Sequence, residues 1–168
     1  MADVAEQFGE IYDLYIEKIY RFVYLKVNNQ EIAEDITSKV FLRGWEAFKT
    51  PKADIKNPGA FLYQIARNAV IDHYRTKDRT NTISAQNVPE LADNRVGALD
   101  RAVLSAEVEQ VKKAMQGLKK DYQDVLIWHY LDDMPVTQIA QILDKKEGAV
   151  RVMLHRGLRD LKGLIKES

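Results

Sequence analysis

The sequence contains no cysteine, which excludes disulfides and thiolate metal sites and agrees with a reducing compartment. Glycine and proline are scarce, at 8 and 4 residues, in a chain of 168 that is rich in leucine, alanine, lysine and glutamate. This composition indicates an all-helical protein. No apolar run approaches the roughly 18 residues of a membrane span. The sequence also lacks a basic-then-apolar leader, so we expect a cytoplasmic protein without membrane insertion.

A net positive charge is also lacking, because 25 acidic residues balance 25 basic ones. A protein that coats nucleic acid indiscriminately would be strongly basic, so that class is disfavoured. The charge is nevertheless uneven, since residues 145–166 hold seven lysines and arginines against two acids. A neutral chain with a basic end suits local DNA contact, combined with acidic or mixed surfaces for other partners.

Signals for catalysis are absent as well. His73, His129 and His155 lie far apart in the sequence, and no pair has the spacing of metal ligands. The sequence has neither a glycine-rich phosphate loop nor a nucleophile elbow. Asp132 and Asp133 form an acidic pair, but they sit at an expected turn, where aspartate commonly bonds to the local backbone. We therefore predict no enzyme, no catalytic or metal-binding residues and no cofactor.

The apolar spacing predicts two small helical domains joined by a flexible linker. The first, residues 5–79, contains three amphipathic helices, starting near residues 8, 30 and 61, and Asn28 and Asn29 can cap the second of them. A loop at residues 50–57 precedes the third helix, and Pro58 ends that loop. Residues 80–97 are polar and aperiodic, which is typical of a linker.

The helix at residues 61–79 combines an apolar face with basic and amide side chains. Arg67, Asn68 and Arg75 lie among aromatic residues that include Phe61 and Tyr63. A nucleic-acid surface needs this combination, because cations hold phosphates and flat rings stack on bases. The simpler interpretation is a helix whose charges only face solvent.

The second domain, residues 98–166, contains four predicted helices and ends in a helix-turn-helix. Asp121 is a candidate cap for the second of these helices, and Pro135 lies near the start of the third. Helices at 135–143 and 147–164, joined by a short basic turn, have the dimensions of a DNA-binding helix-turn-helix. Ala140 allows close helix packing. The simpler interpretation is a helical hairpin whose charges only solvate it.

Three segments of the chain resemble the sigma factors of the sigma-70 family, those of the extracytoplasmic-function (ECF) type. The similar residues, in chain order, are Ala33-Glu34-Asp35-Ile36, Val40-Phe41, Arg43 and Trp45; Phe61-Leu62-Tyr63, Ile65-Ala66-Arg67-Asn68, Asp72 and Arg75; and Ile139-Ala140, Ile142-Leu143, Gly148, Val150-Arg151, Leu154-His155-Arg156 and Leu161. The segments occur in the order and with the spacing of that family.

The resemblance implies a sigma factor that binds core RNA polymerase and directs promoter-specific initiation. The first domain would be region 2-like, docking on the polymerase clamp coiled coil and melting the −10 promoter element. The second would be region 4-like and would read the −35 element. An inhibitory anti-sigma partner is also implied.

The same resemblance assigns residues to three surfaces. The −35 surface contains Gln138, Lys145, Lys146, Arg151, Val152, His155 and Arg156. The −10 surface contains Phe61, Tyr63, Arg67, Asn68 and Arg75. The polymerase surface contains Asp35, Ser38, Lys39 and Leu42.

The chain departs from the family pattern at several of these positions. Gln138 stands where the family usually has Glu, and Lys145-Lys146 where it has an apolar residue followed by serine. Val152-Met153 replace small polar and basic residues, and Ser38-Lys39 replace Gln followed by an acid. Phe61 stands where a tryptophan is common. These differences bear on DNA reading and on polymerase docking.

Two alternative functions remain open from the sequence. One is a stand-alone helix-turn-helix regulator, whose first domain would sense a signal or dimerise. The other is an adaptor that binds polymerase without reading DNA. Dependence of DNA binding on core polymerase distinguishes a sigma factor from the stand-alone regulator.

Overall fold

A computed structural model of the chain describes residues 3–50, 55–84 and 106–167. These residues form seven α-helices and one π-helical turn, and no strand occurs among them. The elements are α1 (Val4–Val27), α2 (Gln30–Phe48), α3 (Pro58–Ser84), α4 (Ala106–Gln116), α5 (Lys120–Leu126), the π turn (Ile127–Leu131), α6 (Val136–Leu143) and α7 (Glu147–Glu167). The predicted all-helical fold class is confirmed. Within the described ranges, no helix has the length and apolarity needed to cross a membrane.

Local capping signals set the limits of the first three helices. Asn28 ends α1 in the left-handed conformation with φ 54°, and the Asn29 side chain accepts the Ile32 N–H at 3.0 Å to open α2. Pro58 is the first residue of α3, where its missing N–H costs nothing, and Asn57 accepts the Ala60 N–H at 3.1 Å. The predicted cap of the second helix is therefore confirmed at Asn29, whereas Asn28 ends α1.

The structure extends two of the predicted helices. α1 begins at Val4 rather than near residue 8, because the Asp3 carboxylate accepts the Glu6 N–H at 2.7 Å. α3 continues to Ser84, beyond the predicted end of the first unit at residue 79. The remainder of the predicted linker, the segment at 98–105 and the loop residues 51–54 lie outside the described residues.

The first unit, α1 to α3, is a bundle with an aromatic end. The Phe8 ring lies 5.5 Å from the Trp45 ring and 5.7 Å from the Phe48 ring, joining α1 to α2. Gly44 allows α2 to approach α3, since a Cβ there would come within 2.7 Å of the Leu62 side chain. Burial of this face stabilises the three helices, none of which would be stable alone.

The second unit, α4 to α7, contains the predicted helix-turn-helix. Asp144 ends α6 in the left-handed conformation with φ 53°, and α7 starts at Glu147. Ala140, Val150 and Leu154 are buried where α6 meets α7, as the sequence predicted. The expected cap at Asp121 was wrong. Lys119 holds the N-cap position of α5 without a side-chain bond, and Asp121 is the second residue of the helix, where its carboxylate contacts Arg67.

The two units pack directly against each other. Trp128, in the π turn, is fully buried and stacks on Phe22 of α1, with ring centroids 5.4 Å apart and an interplanar angle of 23°. Its ring also meets the edge of Tyr63 on α3 at 5.9 Å. The described residues of both units therefore share part of one aromatic core.

Candidate nucleic-acid interface

The start of α7 and the preceding turn form an exposed basic surface. Lys145 and Lys146 lie in the turn, and Arg151 follows one helical turn into α7, where its side chain is 64% exposed. Glu147 lies 3.7 Å from the Arg151 guanidinium, one turn earlier on the same face. Such an exposed pair stabilises the helix weakly and leaves Arg151 able to exchange Glu147 for another acceptor.

The remaining members of the predicted −35 surface share this side of the motif. Val152, His155 and Arg156 are exposed on α7, and Gln138 is half-buried on α6. Inward-facing Val150 and Leu154 fix the rotation of α7, and this rotation turns the intervening positions outward. The structure thus leaves the predicted residues of the turn and of α7 exposed, with Gln138 half-buried on α6.

The predicted −10 residues on α3 do not all face solvent. Asn68 and Arg75 are exposed, and Phe61 is half-buried. Tyr63, in contrast, is 1% exposed, and its hydroxyl donates a 2.7 Å hydrogen bond to Asp132. Arg67 donates from Nε to Asp124 at 3.1 Å and lies 3.3 Å from Asp121. Phe61, Asn68 and Arg75 are therefore accessible, whereas Tyr63 and Arg67 are bonded to residues of the second unit.

The contact between the units contains a buried ion pair that the sequence did not predict. Lys26 Nζ lies 2.6 Å from Asp124 Oδ1, and both side chains are almost fully buried, at 4% and 3% exposure. Lys26 Nζ also donates to the Lys120 carbonyl at 3.0 Å. Burial raises the pKa of Asp124 and lowers the pKa of Lys26, while their attraction for each other opposes both shifts.

Asp132 makes a second polar contact between the units. Its carboxylate accepts from the Arg21 guanidinium on α1 and from the Tyr63 hydroxyl on α3. Burial and the hydrogen bond to Asp132 raise the pKa of Tyr63 well above the ordinary 10.0. The hydroxyl therefore stays protonated and remains a donor. The expected turn at Asp132-Asp133 is present, with Asp133 at φ 52°, but Asp132 also bonds across the units.

One overlooked signal for this contact is present in the sequence. Lys26 follows Ile19, Phe22 and Val23 at helical spacing, so a lysine stands on the apolar face of α1. Asp124 likewise adjoins the apolar run Val125-Leu126-Ile127-Trp128. A charged residue on a buried face requires a partner, which here is supplied by the other unit.

The predicted polymerase surface lies on the outer side of α2. Asp35 and Lys39 pair at 3.1 Å, and both side chains are largely exposed. Ser38 is exposed nearby, and Leu42 is an apolar side chain with 58% exposure. The residues form a stripe offset from the buried face of α2, beside a cleft of about 330 Å³ between α2 and α3.

Among the described residues, no cluster of three or more histidine and acidic side chains is arranged to hold a metal ion. The titratable side chains grouped around Asp124 and Asp132 are paired across the unit interface instead.

The two helical units correspond to recognised sequence families. Residues 11–80 match the family described as Sigma-70 region 2, and residues 108–161 match the family described as Sigma-70, region 4. The chain belongs to the sigma-70 family. The sequence-based identification as an ECF-type sigma-70 family sigma factor is confirmed by these matches and by the relatives below.

Relatives of this sigma factor are similar along nearly its whole length. The ECF RNA polymerase sigma factor BldN of Streptomyces coelicolor is 28% identical over 166 residues, which are 99% of this chain. The chain spans 63% of the length of BldN. The ECF RNA polymerase sigma factor SigM of Bacillus subtilis is 28% identical over 156 residues, covering 92% of this chain and 93% of SigM.

Two solved structures share the fold of this sigma factor. The sigma factor RpoE from Bartonella quintana, in complex with the anti-sigma factor NepR, has a TM-score of 0.74 and 18% identity, covering 96% of this chain and 98% of that one. CnrH, in complex with the cytosolic domain of CnrY, has a TM-score of 0.72 and 17% identity, covering 98% and 90%. At these identities, the likeness concerns the fold alone.

Proposed function

We propose that this sigma factor binds core RNA polymerase in the cytoplasm and directs promoter-specific initiation through three surfaces. Its contribution is binding and DNA deformation, and polymerase supplies the chemistry. The observation that carries the proposal is the helix-turn-helix with an exposed basic face, on a chain whose other unit has accessible polar residues on α3 and an exposed leucine on α2.

The −35 element is read by α7. Arg151 is the strongest candidate for direct readout, because an exposed guanidinium near the start of a recognition helix can bond two acceptors of guanine. Val152 can contact thymine methyl groups, and Lys145 and Lys146 neutralise phosphates. Gln138, His155 and Arg156 flank this centre.

The −10 element is opened along α3. Phe61, Asn68 and Arg75 provide a ring, an amide and a cation on one helix, which suits an unstacked base and its phosphates. Tyr63 and Arg67 project from the opposite side of α3, where the second unit contacts them. Single-stranded DNA is therefore the ligand of the first unit.

Core polymerase docks on the outer stripe of α2. Leu42 would form the centre of the contact with polymerase. An exposed leucine with charged residues around it resembles a protein interface, which has an apolar centre and a polar rim. Lys39 reverses the charge that the family carries there, and its pairing with Asp35 offsets that change locally.

An anti-sigma factor is a further expected partner of this protein. The sigma factor RpoE from Bartonella quintana, which shares its fold, is bound to the anti-sigma factor NepR, and CnrH, which also shares it, is bound to the cytosolic domain of CnrY. A comparable partner would cover surfaces that polymerase and DNA use. No specific observation favours the stand-alone regulator or the adaptor over the sigma factor.

Docking is tested with Leu42→Glu, which places a charge at the centre of the proposed stripe. We expect the variant to lose co-elution with core polymerase in gel filtration, since an unpaired charge in a buried interface costs several kcal/mol. Leu14→Glu is the matched control, because Leu14 on α1 is also mostly exposed, at 67%, and lies outside the stripe.

Circular dichroism should show both variants folded. Equal co-elution of Leu42→Glu and Leu14→Glu with polymerase would remove α2 from the docking surface. Retention of genomic promoter fragments by the free chain, with no gain from polymerase, would favour the stand-alone regulator.

A further inference from the structure

The exposed side of α7 carries basic residues well beyond the −35 surface. Arg151 and His155 belong to that surface and lie near the start of the helix. Lys162 and Lys166 follow them by eleven residues each, and both lysines are exposed. Eleven residues at about 100° each return a side chain to within about 20° of its starting direction, so each lysine lies on the same side of α7 as its counterpart. We call Lys162 and Lys166 the lysine pair.

The lysine pair does not have the pattern of charges that only keep a helix in water. Such helices commonly mix acids and bases at a spacing of four residues. Lys162 and Lys166 are four residues apart with equal charges, which destabilises a helix slightly. Neither lysine belongs to an ion pair among the described residues. Lys166, in the last turn, complements the helix dipole, but Lys162 precedes that turn and gains little from it.

The acids of α7 leave the charge of the lysine pair uncompensated. Glu147 pairs with Arg151 at 3.7 Å, at the opposite end of the helix. Asp160 is half-buried, points about 160° away from Lys162 around the helix axis, and pairs with Arg159 at 3.3 Å. The exposed side of the second half of α7 therefore has a positive potential that an anion from outside the helix can satisfy.

Gly163 lies beside the lysine pair and is also exposed. A glycine inside a helix lowers the stability of that helix. Packing does not require it, since a Cβ on Gly163 would meet no atom of the described residues within 4 Å. The missing side chain leaves room for another molecule to approach α7 closely at this point.

The distance along α7 determines what the lysine pair can reach on DNA. At about 1.5 Å per residue, Lys162 lies about 17 Å beyond Arg151. The first residues of a recognition helix contact the base edges, and the major groove is about 12 Å wide. With Arg151 at the bases, Lys162 and Lys166 therefore lie past the floor of the groove, level with the phosphates at its edge.

The chemistry of the two ends of α7 differs in the same sense. Arg151 has a planar guanidinium, which can bond two acceptors of one base. A lysine ammonium group is a point charge on a flexible stem, so it suits a phosphate and requires no fixed geometry. Arginine at the reading end and lysine at the far end match this division between base and backbone contacts.

We propose that Lys162 and Lys166 bind DNA phosphates beside the −35 element and anchor α7 there without reading the sequence. The inference rests on the proposed reading of the −35 element by α7. Lys145 and Lys146 contact phosphates at the other end of the helix in that proposal. Phosphate contacts on both sides of Arg151 would fix the register of α7 in the groove.

The test uses a promoter duplex that the polymerase holoenzyme retains from genomic fragments. The double variant Lys162→Gln, Lys166→Gln removes both charges and keeps a similar helix propensity. We expect the holoenzyme to bind the duplex about tenfold more weakly at about 100 mM salt. The plot of log affinity against log salt should become less steep by about 2, because each phosphate contact contributes about 0.9. Base preferences in the −35 element should not change.

The matched control is the double variant Lys113→Gln, Lys119→Gln. Lys113 on α4 and Lys119 immediately before α5 are exposed lysines of the same unit, on helices that pack against the opposite, buried side of α7. All variants should co-elute with core polymerase and keep their circular dichroism. Equal affinities and salt slopes for the two double variants would overturn the proposal.

Charge at the lysine pair should be sufficient for the contact. We expect Lys162→Arg, Lys166→Arg to bind the same duplex as the unaltered protein does, because arginine also binds phosphate. A loss of affinity in this variant equal to that of the glutamine variant would contradict a phosphate contact.

Uncharged phosphate analogues locate the contact on the DNA. Single methylphosphonates are placed at successive positions on both sides of the −35 element. We expect at least one position where the analogue weakens binding by the unaltered protein about threefold but leaves Lys162→Gln, Lys166→Gln unaffected. If every analogue lowers both affinities equally, the lysine pair does not contact DNA, and an acidic protein surface becomes the better candidate.

Arg151→Ala in the same assay distinguishes this proposal from the reading of the −35 element by α7. If Arg151→Ala alters the base preferences while the lysine variant behaves like its control, the phosphate anchor alone fails. If Arg151→Ala leaves the base preferences unchanged, the assignment of Arg151 as a reading residue fails.

Discussion

At the scale of single residues, Arg151 and Arg159 are two arginines of α7 with equal charge and similar exposure, at 64% and 67%. They differ in position. Arg151 lies at the end of α7 next to the basic turn, whereas Arg159 lies two turns further along and pairs with Asp160 at 3.3 Å. General attraction to DNA should depend on both, and base readout on Arg151 alone.

We therefore expect Arg151→Ala to weaken recognition of the −35 element by about 1–3 kcal/mol and to relax the preference at one base pair. Arg159→Ala should change affinity little and equally for all sequences. Competition binding by the holoenzyme to promoters mutated at each −35 position measures this difference. If the two variants retain the same base preferences, Arg151 is not a reading residue.

At the scale of single elements, local signals in the sequence placed several of the helix ends. Asn29 and Pro58 open α2 and α3, and the helix-turn-helix has its predicted turn and buried contacts. These features depend on neighbours within a few positions, which a sequence shows directly. The Asp121 cap failed for the opposite reason, because its carboxylate bonds to Arg67, far away in the sequence.

The rotation of α7 about its axis decides which residues reach DNA, and one matched pair tests it. Val150 is fully buried against α6, whereas Val152 is 46% exposed two positions later. Val150→Ala should destabilise the protein by roughly 1–3 kcal/mol through the cavity it leaves. Val152→Ala should change stability by less than about 0.5 kcal/mol.

For DNA binding, we expect Val152→Ala to have the larger effect and Val150→Ala the smaller one. Val152→Ala should alter −35 preference at thymine positions, while folded Val150→Ala protein should keep its preference. Urea denaturation and binding assays on the two variants provide both measurements. A stability loss at Val152 equal to that at Val150 would mean that α7 is rotated differently.

At the scale of the whole molecule, sequence patterns could show that Lys26 and Asp124 need partners but not which residues meet across the contact between the units. Lys26 and Asp124, or Tyr63 and Asp132, lie far apart along the chain, and no periodicity links them. Sequence analysis assigned Tyr63 and Arg67 to a predicted DNA surface. It could not indicate that the second unit occupies both.

The distance between the two promoter elements is larger than the packed molecule. Elements centred near −35 and −10 lie about 25 base pairs apart, which is about 85 Å along B-DNA. A packed chain of this length has a diameter of only ~40 Å. α3 and α7 can serve the two proposed elements together only if the units separate.

The stability of the packed molecule should respond to pH through His73. Burial, with help from Lys77 and Lys120, lowers the pKa of His73 below its ordinary 6.5. Because Lys120 belongs to α5 of the second unit, a protonated His73 on α3 is repelled by the positive charge of Lys120. A depressed pKa contributes stability that is complete above pH 6.5 and declines as the pH falls through the folded value.

We expect the urea concentration at the unfolding midpoint of the unaltered protein to decrease as the pH is lowered from about 7.5 to about 5. His73→Gln should make this decrease smaller. His155→Gln, on the exposed face of α7, is the control. The same pH dependence in His73→Gln and the unaltered protein would exclude His73 as its source.

The π turn determines the angular register between the two units. The Asp132 N–H donates to the Ile127 carbonyl at 3.1 Å, five positions back, so this turn contains one residue more than an α-helical turn. Each residue of an α-helix advances the direction of the side chains by about 100°. Deleting one residue here would rewind the turn and rotate everything that follows by about that angle, carrying Asp132 away from Tyr63. Removal of a single residue from the π turn would thus change the orientation of the helix-turn-helix relative to α3. No change in charge or apolar content would be needed.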